Sequence, residues 1–479
     1  MPITSLGIGS GVDLNSLVTQ LVAVERQPLR GLQSAASRLQ TQVSSYGKLQ
    51  SLFGALQDAS NKLTSTTLWT QSLAASSNDN AVSTVGGGSA AAGNYAVSVQ
   101  QLAGSQTLAS GNTFAASSDL VGAGTITIGL GSWDATQAAF TPKPAPPAVA
   151  FDVTAGDTLL TLRDKINAAG AGVTASVVTD ATGVRLSIRS TASGAENGFR
   201  AMVADSDGNN TDAAGLSRFA YNPPGGANSM QLKQAAQNAL ATVNGINVVS
   251  ATNELSTTVE GMTLRLRQVT TAPVDITVSP DRDAISKAVA SFATAYSDLA
   301  RNIAEQTKYD PATKVGGPLQ GDSAASGLQQ RLRSVLSASS GASTQFGHLS
   351  DLGLELQRDG TLTVNSTKVN TALGNLTEMK KAFANSDTAT PANDGFARRY
   401  SQLAGQVVAT DGSLTTRTEG LRKQITKNGD EQTRLNDRVD SFQKRLIQQY
   451  QAMDANVARL NSLSSYVTAQ LNAINRTPN

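Results

Sequence analysis

The chain has 479 residues, 39% of them hydrophobic but only 4% aromatic, with a formal net charge of +2. That length predicts more than one domain, with aliphatic cores, and so small a charge gives no argument for nucleic acid or for a membrane surface as partner. There is no cysteine, which excludes disulfides and thiol chemistry.

No segment reaches the ~20 apolar residues that span a bilayer. The N-terminus MPITSLGIGSGVDLNS lacks the basic and apolar regions of a cleaved secretory signal. Taken alone this suggests a cytoplasmic protein; it suits equally well a chain exported by a route that reads a flexible, polar, uncleaved N-terminus. The first helical pattern starts at Asp13, a good N-cap. Leu14, Leu17, Val18, Leu21 and Val22 fall on one face. Pro28, which has no amide donor and clashes with the preceding turn, predicts a kink or a restart. After it Leu32, Leu39, Tyr46 and Phe53 recur at intervals of seven, with Leu49 and Leu56 beside them, which is coiled-coil spacing. Residues 1–40 are thus read as leader plus terminal helix, and 41–75 as a helix of a bundle.

From about Gln71 the helical period gives way to short alternating runs between Gly-rich turns: NYAVSVQQLA, GTITIGL, GVTASVV, GVRLSIRS, GMTLRLRQV and VDITVSP. One helix is expected among them, capped by Asp157, lined by Leu159, Leu162 and Ile166, and stopped by Gly170. TPKPAPPA, from Thr141 to Ala148, reads as a loop or an edge connection. Asn244-Gly245 between apolar runs is a hairpin signal. The expected head has a first part at 76–130, a nested outer domain at 131–239 and a second part at 240–278.

Helix returns at Ser279-Pro280, read as an N-cap with proline at the first helical position. Ile285, Val289, Phe292, Tyr296, Leu299 and Ile303 follow on one face, and a second helix from Ser323 carries Leu328, Leu332, Val335 and Leu336. A turn falls at Asp359-Gly360. Residues 279–413 complete the bundle, and 414–479 are read as a long C-terminal coiled-coil helix. There Val439, Leu446, Met453, Leu460, Val467 and Ile474 form one column at intervals of seven, weakened by Gln449 and Asn456 beside it.

The fold class is therefore α+β and multidomain. Paired terminal helices form a coiled-coil or helical-bundle leg, and a β-rich head of one or two domains is inserted between them. A two-helix leg has little interior, so much of each apolar stripe still faces water and needs other copies or another protein. The candidate interface is Leu14, Leu17 and Leu21 with Val439, Phe442, Leu446, Tyr450, Met453, Val457, Leu460, Val467, Leu471 and Ile474.

Chemistry finds no footing. The one histidine, His348 in FGHLSDLG, rules out two-His zinc motifs and lies near no nucleophile elbow. GIGSG (Gly7 to Gly11) has no strand before it and no lysine after it. Asp205, Asp207, Asn209 and Asp212 could offer oxygens to Ca²⁺, but the Glu and flanking helices of an EF-hand are missing, and plain turns are the favoured reading. Trp69 reads as a core anchor. No catalytic, cofactor or metal residues are expected, and a hydrolase using head carboxylates is the weakest hypothesis.

The residues resemble those of the flagellar hook-associated protein 2 family, the filament caps. GIGSGVDLNSLVTQLVAVERQPLRGL is similar to the family's N-terminus. GNYAVSVQQLAGSQTL, VNGINVVSATNELSTTVEGMTLRLRQ, GGPLQGDSAASGLQQRLR, LSDLGLELQRDGTLTVNSTKV and FQKRLIQQYQAMDANVARLNSLSSYVTAQL match it in order. LRDKINAAGAGVTASVVTDATGVRLSI resembles a small repeat shared by flagellins and their caps. The Pro-rich insert around Pro142–Pro147 and the loop from Ser206 to Gly226 follow no family pattern. The resemblance implies a small ring of copies at the distal end of the bacterial filament, giving incoming flagellin an enclosed place to fold and insert. It implies flagellin, neighbouring copies, the hook-filament junction protein and a cytoplasmic export chaperone at the C-terminal region as partners. It also implies an extracellular position at the flagellar tip, reached by the flagellar type III route without a cleaved signal. The alternative function is a tip adhesin whose head binds host mucin or glycans; neither nucleic acid nor membrane insertion is expected.

Overall fold

The computed structural model describes residues 13–86, 88–223 and 229–474; the expected leader, with Gly7 to Gly11, and the Gly226 end of the 206–226 loop lie outside the described residues. The helices are α1 (Leu14–Glu25), α2 (Gln27–Thr64), α3 (Thr66–Thr70), α4 (Leu159–Ala168), α5 (Arg282–Thr307), α6 (Ser323–Ser337), α7 (Ser366–Ala372), α8 (Leu376–Ala384), α9 (Phe396–Val408) and α10 (Ser413–Ile474). The chain divides into two compact units, one made of the residues up to Leu68 and from Arg282 onward, the other of Trp69–Asp281.

In the first unit α2 packs against α5, α9 and α10. The spacing of α2 dictates which face it buries: Tyr46, Leu49, Phe53, Leu56 and Leu63 are buried, while Leu32 and Leu39, nearer its start, are only half-buried. Phe292, Tyr296 and Tyr400 meet edge to face, with Tyr400 centred 5.3 Å from Phe292 and 5.7 Å from Tyr296. Helix α6 buries Leu328, Leu332 and Leu336 and is capped by Asp322. The turn at Asp359-Gly360 closes a short hairpin, Leu354–Leu356 with Leu362–Val364.

Ser279-Pro280 is not a helix start. The last strand of the second unit runs through Pro280, which lies opposite Ser72, and α5 begins only at Arg282. The residues have cap chemistry, but strand pairing to Leu73 and Ser72, far earlier in the chain, claims them first.

The strands of the second unit are β1 (Ser72–Ser76), β2 (Val82–Val85), β3 (Gly93–Gln101), β4 (Thr107–Ser110), β5 (Gly124–Trp133), β6 (Phe140–Pro142), β7 (Val149–Val153) and β8 (Val173–Asp180). They continue with β9 (Gly183–Ser190), β10 (Gly198–Asp205), β11 (Met230–Gln234), β12 (Ala239–Val243), β13 (Ile246–Ser250), β14 (Glu254–Val259), β15 (Met262–Leu266) and β16 (Val274–Pro280). A five-stranded sheet, in the order β1-β16-β3-β12-β13, and a three-stranded one, β14-β15-β2, share a core that includes Val97, Val99, Ala241, Leu255, Leu264 and Ile276. A separate core runs from Leu108 to Met230 and gathers α4 with β5, β8, β9 and β10 through Ile126, Leu162, Ile166, Leu186 and Phe199. The expected border at 130/131 falls inside β5, whose register with β10 is continuous from Gly124 to Gly131.

Asn244 and Gly245 both take positive φ, 51° and 79°, the type I′ turn that matches strand twist. Asp157 does not cap α4. Thr158 does, in a reciprocal capping box with Thr161, while Asp157 closes its own turn by accepting from the Thr154 amide at 2.6 Å and from Lys165. Burial pushes the Asp157 carboxyl up, but those bonds outweigh it and hold the group well below the usual carboxylate range. Gly170, at φ 64°, does end the helix as expected.

Candidate interaction surface

Helix α1 starts because Asp13 accepts a hydrogen bond from the Ser16 amide at 2.9 Å, satisfying one of the orphan donors of the first turn. It ends at Glu25, and α2 restarts at Gln27 with Pro28 in its first turn, as the missing amide of proline allows. Leu14, Val18 and Val22, spaced by four, are the buried face. Val18 and Val22 enclose Val439 of α10, with Leu435, Phe442, Leu446, Ile447 and Tyr450 half-buried around them.

Two ion pairs flank this seam: Arg438 Nη2 to Glu25 Oε1 at 2.6 Å and Arg26 Nη2 to Asp440 Oδ1 at 3.9 Å. Both are solvent-exposed and contribute at most about 1 kcal/mol each; their part is to set register. Tyr46 of α2 lies beside Arg417, and stepping back from Tyr46 to Glu25 in one arm corresponds to stepping forward from Arg417 to Arg438 in the other. The arms run antiparallel.

Helix α10 is 62 residues long, or about 93 Å at 1.5 Å per residue, and it outruns its cover. Beyond Tyr450 no described residue of α10 is buried. Met453 is 42% exposed, Leu460 63% and Leu471 58%, and Leu463, Tyr466 and Val467 are exposed with them. Val457 is half-buried, and the side chain of Ile474 lies outside the described residues. A seven-residue column drifts by roughly 20° per heptad on a straight α-helix. It therefore turns gradually away from any straight neighbour that covers its first heptads.

Of the interface residues read from sequence, Leu14 and Val439 are buried, Phe442, Leu446, Tyr450 and Val457 half-buried, and Leu17, Leu21, Met453, Leu460, Val467 and Leu471 exposed. Leu17 and Leu21 lie on the outer face of α1. Val18, Val22, Leu435 and Ile447, absent from that set, belong to the seam; the signal for Leu435 was its spacing of four from Val439.

The base of α10 is anchored by one charged contact. Arg417 donates through Nε and Nη2 to Asp322 Oδ2 at 3.2 and 2.8 Å, while Asp322 Oδ1 caps α6 by accepting from the Ala324 amide at 2.9 Å. Burial pushes the Asp322 carboxyl up, but the Arg417 guanidinium and the Ala324 amide bonded to it outweigh this and hold it below its ordinary value. The folded state therefore binds this proton less readily than the unfolded chain. The resulting stability is present above the unfolded carboxylate's pKa of about 3.9 and is lost as pH falls through the lower folded value. Asp322→Asn is expected to cost about 1.5–3 kcal/mol near neutrality and to flatten the acid limb of a urea-midpoint-against-pH curve. An acid limb unchanged by the substitution would assign that limb to other carboxylates.

His348 is exposed, its amide donating to Asp351 Oδ2 at 2.8 Å. The Asp205 carboxylate accepts from the amides of Leu216 and Ser217 at 2.6 and 2.9 Å, and Asp207, Asn209 and Asp212 each hold an amide two residues on: this loop is built as turns. Among the described residues no group of three His, Cys, Asp or Glu is placed to hold a metal, and no helix is long and apolar enough to cross a membrane.

Comparison with known proteins bears on both units. Family models described as flagellar hook-associated protein 2 N-terminus and C-terminus match residues 10–106 and 236–462, and one described as flagellin hook IN motif matches 125–192, the stretch from β5 to the end of β9 and beyond. The flagellar hook-associated protein 2 of Escherichia coli strain K12 is 29% identical over 484 residues, covering 98% of either chain. The B-type flagellar hook-associated protein 2 of Pseudomonas aeruginosa is 29% identical over 470 residues, covering 94% of either chain. Among solved structures, the D1-D2-D3 domains of the flagellar cap protein FliD from Escherichia coli are similar with a TM-score of 0.59 at 27% identity, over 79% of this chain and 99% of that one.

Proposed function

The chain belongs to the flagellar hook-associated protein 2 family, the caps of the bacterial flagellar filament, and from that premise we propose that the uncovered half of α10 is its docking surface. The observation that carries this reading is the change of cover along one helix: sheltered by α1 as far as Tyr450, and open from Met453 to Leu471.

Copies join as a small ring at the filament tip through this stripe and the outer face of α1, Leu17 and Leu21. The same surface takes the terminal helices of flagellin as subunits arrive, fold and insert. A half-apolar seam suits that exchange: Gln449 and Asn456 keep it weaker than a complete zipper, so one partner can be released for the next. The hook-filament junction protein and an export chaperone are further partners of the C-terminal region. The polar leader acts as an uncleaved type III export signal that leads to the extracellular tip. The role is mechanical rather than enzymatic, and no feature of the described residues favours the mucin-binding alternative.

The mass in solution tests this. Full-length protein is expected to sediment as an oligomer, and a variant carrying Leu460→Ser, Val467→Ser and Leu471→Ser as a lighter species with an unchanged circular dichroism spectrum. Equal masses would contradict the stripe as a contact between copies.

A further inference from the structure

We propose that two copies of this chain also pair edge to edge through strand β13, forming one continuous sheet across a two-fold axis. β13 is the last strand of the five-stranded sheet. The two-residue turn sets Val243 opposite Ile246, and the register continues to Ala239 opposite Ser250. In such a hairpin the pair beside the turn exchanges both backbone bonds, and every second pair does so after it. Ile246, Val248 and Ser250 therefore bond to β12. The other side of this hairpin faces β3, as the bond from the Asn244 amide to the Ala96 carbonyl at 2.8 Å records. Asn247 and Val249 are left with both their amides and their carbonyls pointing off the sheet.

The opposite edge of the same sheet is closed. At β1 the Ser72 amide donates to the Gly88 carbonyl at 3.0 Å, and Thr84 Oγ1 donates to the Ala74 carbonyl at 2.9 Å. Natural edge strands are usually blunted by lysine, proline, a bulge or a covering segment. Ile-Asn-Val-Val-Ser has none of these residues, its register to β12 is unbroken, and Ile246 is 71% and Val249 62% exposed.

A second copy is the occupant because the open groups are self-complementary. Asn247 and Val249 lie symmetrically about Val248. An antiparallel second copy turned about a two-fold at Val248 brings Asn247 opposite Val249 of the second copy and satisfies all eight outward groups at once. No charged residue in the strand opposes itself across the axis, and the contact is isologous. Pairing β13 head to tail with β1 of a neighbour is not available, since β1 is covered. A two-fold contact closes at two copies, so it is distinct from ring formation and holds copies in pairs outside the ring contact.

The absence of cysteine makes the test direct. In the proposed register Val248 faces its counterpart as a non-hydrogen-bonded pair, with Cα atoms about 4.5 Å apart, within the range a disulfide spans. Full-length protein carrying Val248→Cys is expected to become mostly covalent dimer under mild oxidation at micromolar concentration. The same chain with Val178→Cys, on the exposed edge strand β8, reports random collision and is expected to give at least tenfold less. Adding Val249→Lys to Val248→Cys is expected to suppress the dimer to that level. Cross-linking no greater than the Val178→Cys control, or cross-linking that Val249→Lys does not reduce, overturns the proposal. Should circular dichroism show that Val248→Cys unfolds the sheet, the sedimentation mass of the exposed-site variant Val249→Lys against the unaltered chain decides instead: a lower mass supports pairing, an equal mass refutes it.

Discussion

A chain ended after Ala452 is expected to fold with native stability and to support no filament growth in cells that lack their own cap. The stability half follows from burial. No described side chain beyond Ala452 is buried, so the segment adds little to folding, within about 0.5 kcal/mol of the full chain. The cluster that shelters Val18 and Val22 ends at Tyr450 and remains whole. The growth half follows from docking. Each aliphatic side chain buried against a partner contributes roughly 1.5–3 kcal/mol. Loss of Leu460 and Leu471 alone thus removes roughly 3–6 kcal/mol, at least a hundredfold in affinity at 1.4 kcal/mol per tenfold. The place of the cut matters. Removing everything from residue 440 also strips Phe442, Leu446 and Tyr450 from α1, and a failure there mixes an unravelled seam with a lost surface. Filament lengths in electron micrographs of complemented cells give the readout. Filaments of full length with the chain ended after Ala452 would remove the exposed stripe from the mechanism.

The terminal helices were legible because each carries signals at two levels: a seven-residue column, and punctuation at Asp13 and Pro28 whose chemistry has one reading. Asn244-Gly245 was legible for the same reason, since few residues tolerate two successive positive φ values. Where two neighbours shared the same chemistry the sequence could not choose. Asp157 and Thr158 both cap helices, and the Thr154 amide, with Lys165 about two turns along α4, draws Asp157 away. Ser279-Pro280 has the makings of a helix start, but the pairing of β16 with β1 that overrides it involves residues some two hundred positions away. The face of α1 was ambiguous in the same manner: Leu14, Val18 and Val22 form one stripe, Leu17 and Leu21 the adjacent one, and α10 covers the first. How far that cover extends along α10 depends on where the arms are fixed in register, by pairs such as Arg438–Glu25, which helical period does not encode.

Replacing Tyr400 by alanine is expected to destabilise the helical unit by about 3–5 kcal/mol, the cost of emptying a large aromatic site that cannot collapse. Tyr400 is fully buried and joins α9 to α5 through its edge-to-face contacts with Phe292 and Tyr296. Its hydroxyl donates to the Leu332 carbonyl of α6 at 3.1 Å. Burial pushes that hydroxyl well above its ordinary pKa, so it remains a donor at any pH at which the protein is handled, and the effect is expected to be independent of pH. Tyr400→Phe separates ring from hydroxyl. The Leu332 carbonyl sits within α6, so the phenylalanine variant loses one hydrogen bond and no packing, about 0.5–1.5 kcal/mol. Urea midpoints of both variants check this, and a Tyr400→Phe cost equal to that of Tyr400→Ala would mean the bond rather than the ring holds α9 in place. The consequence reaches the docking surface. α9 packs on both α2 and α10, whose base buries Leu414 and Leu421. A stripe can dock only if its helix is held at one end, so Tyr400→Ala is expected to weaken capping without altering any residue of the stripe, and Tyr400→Phe to leave it intact.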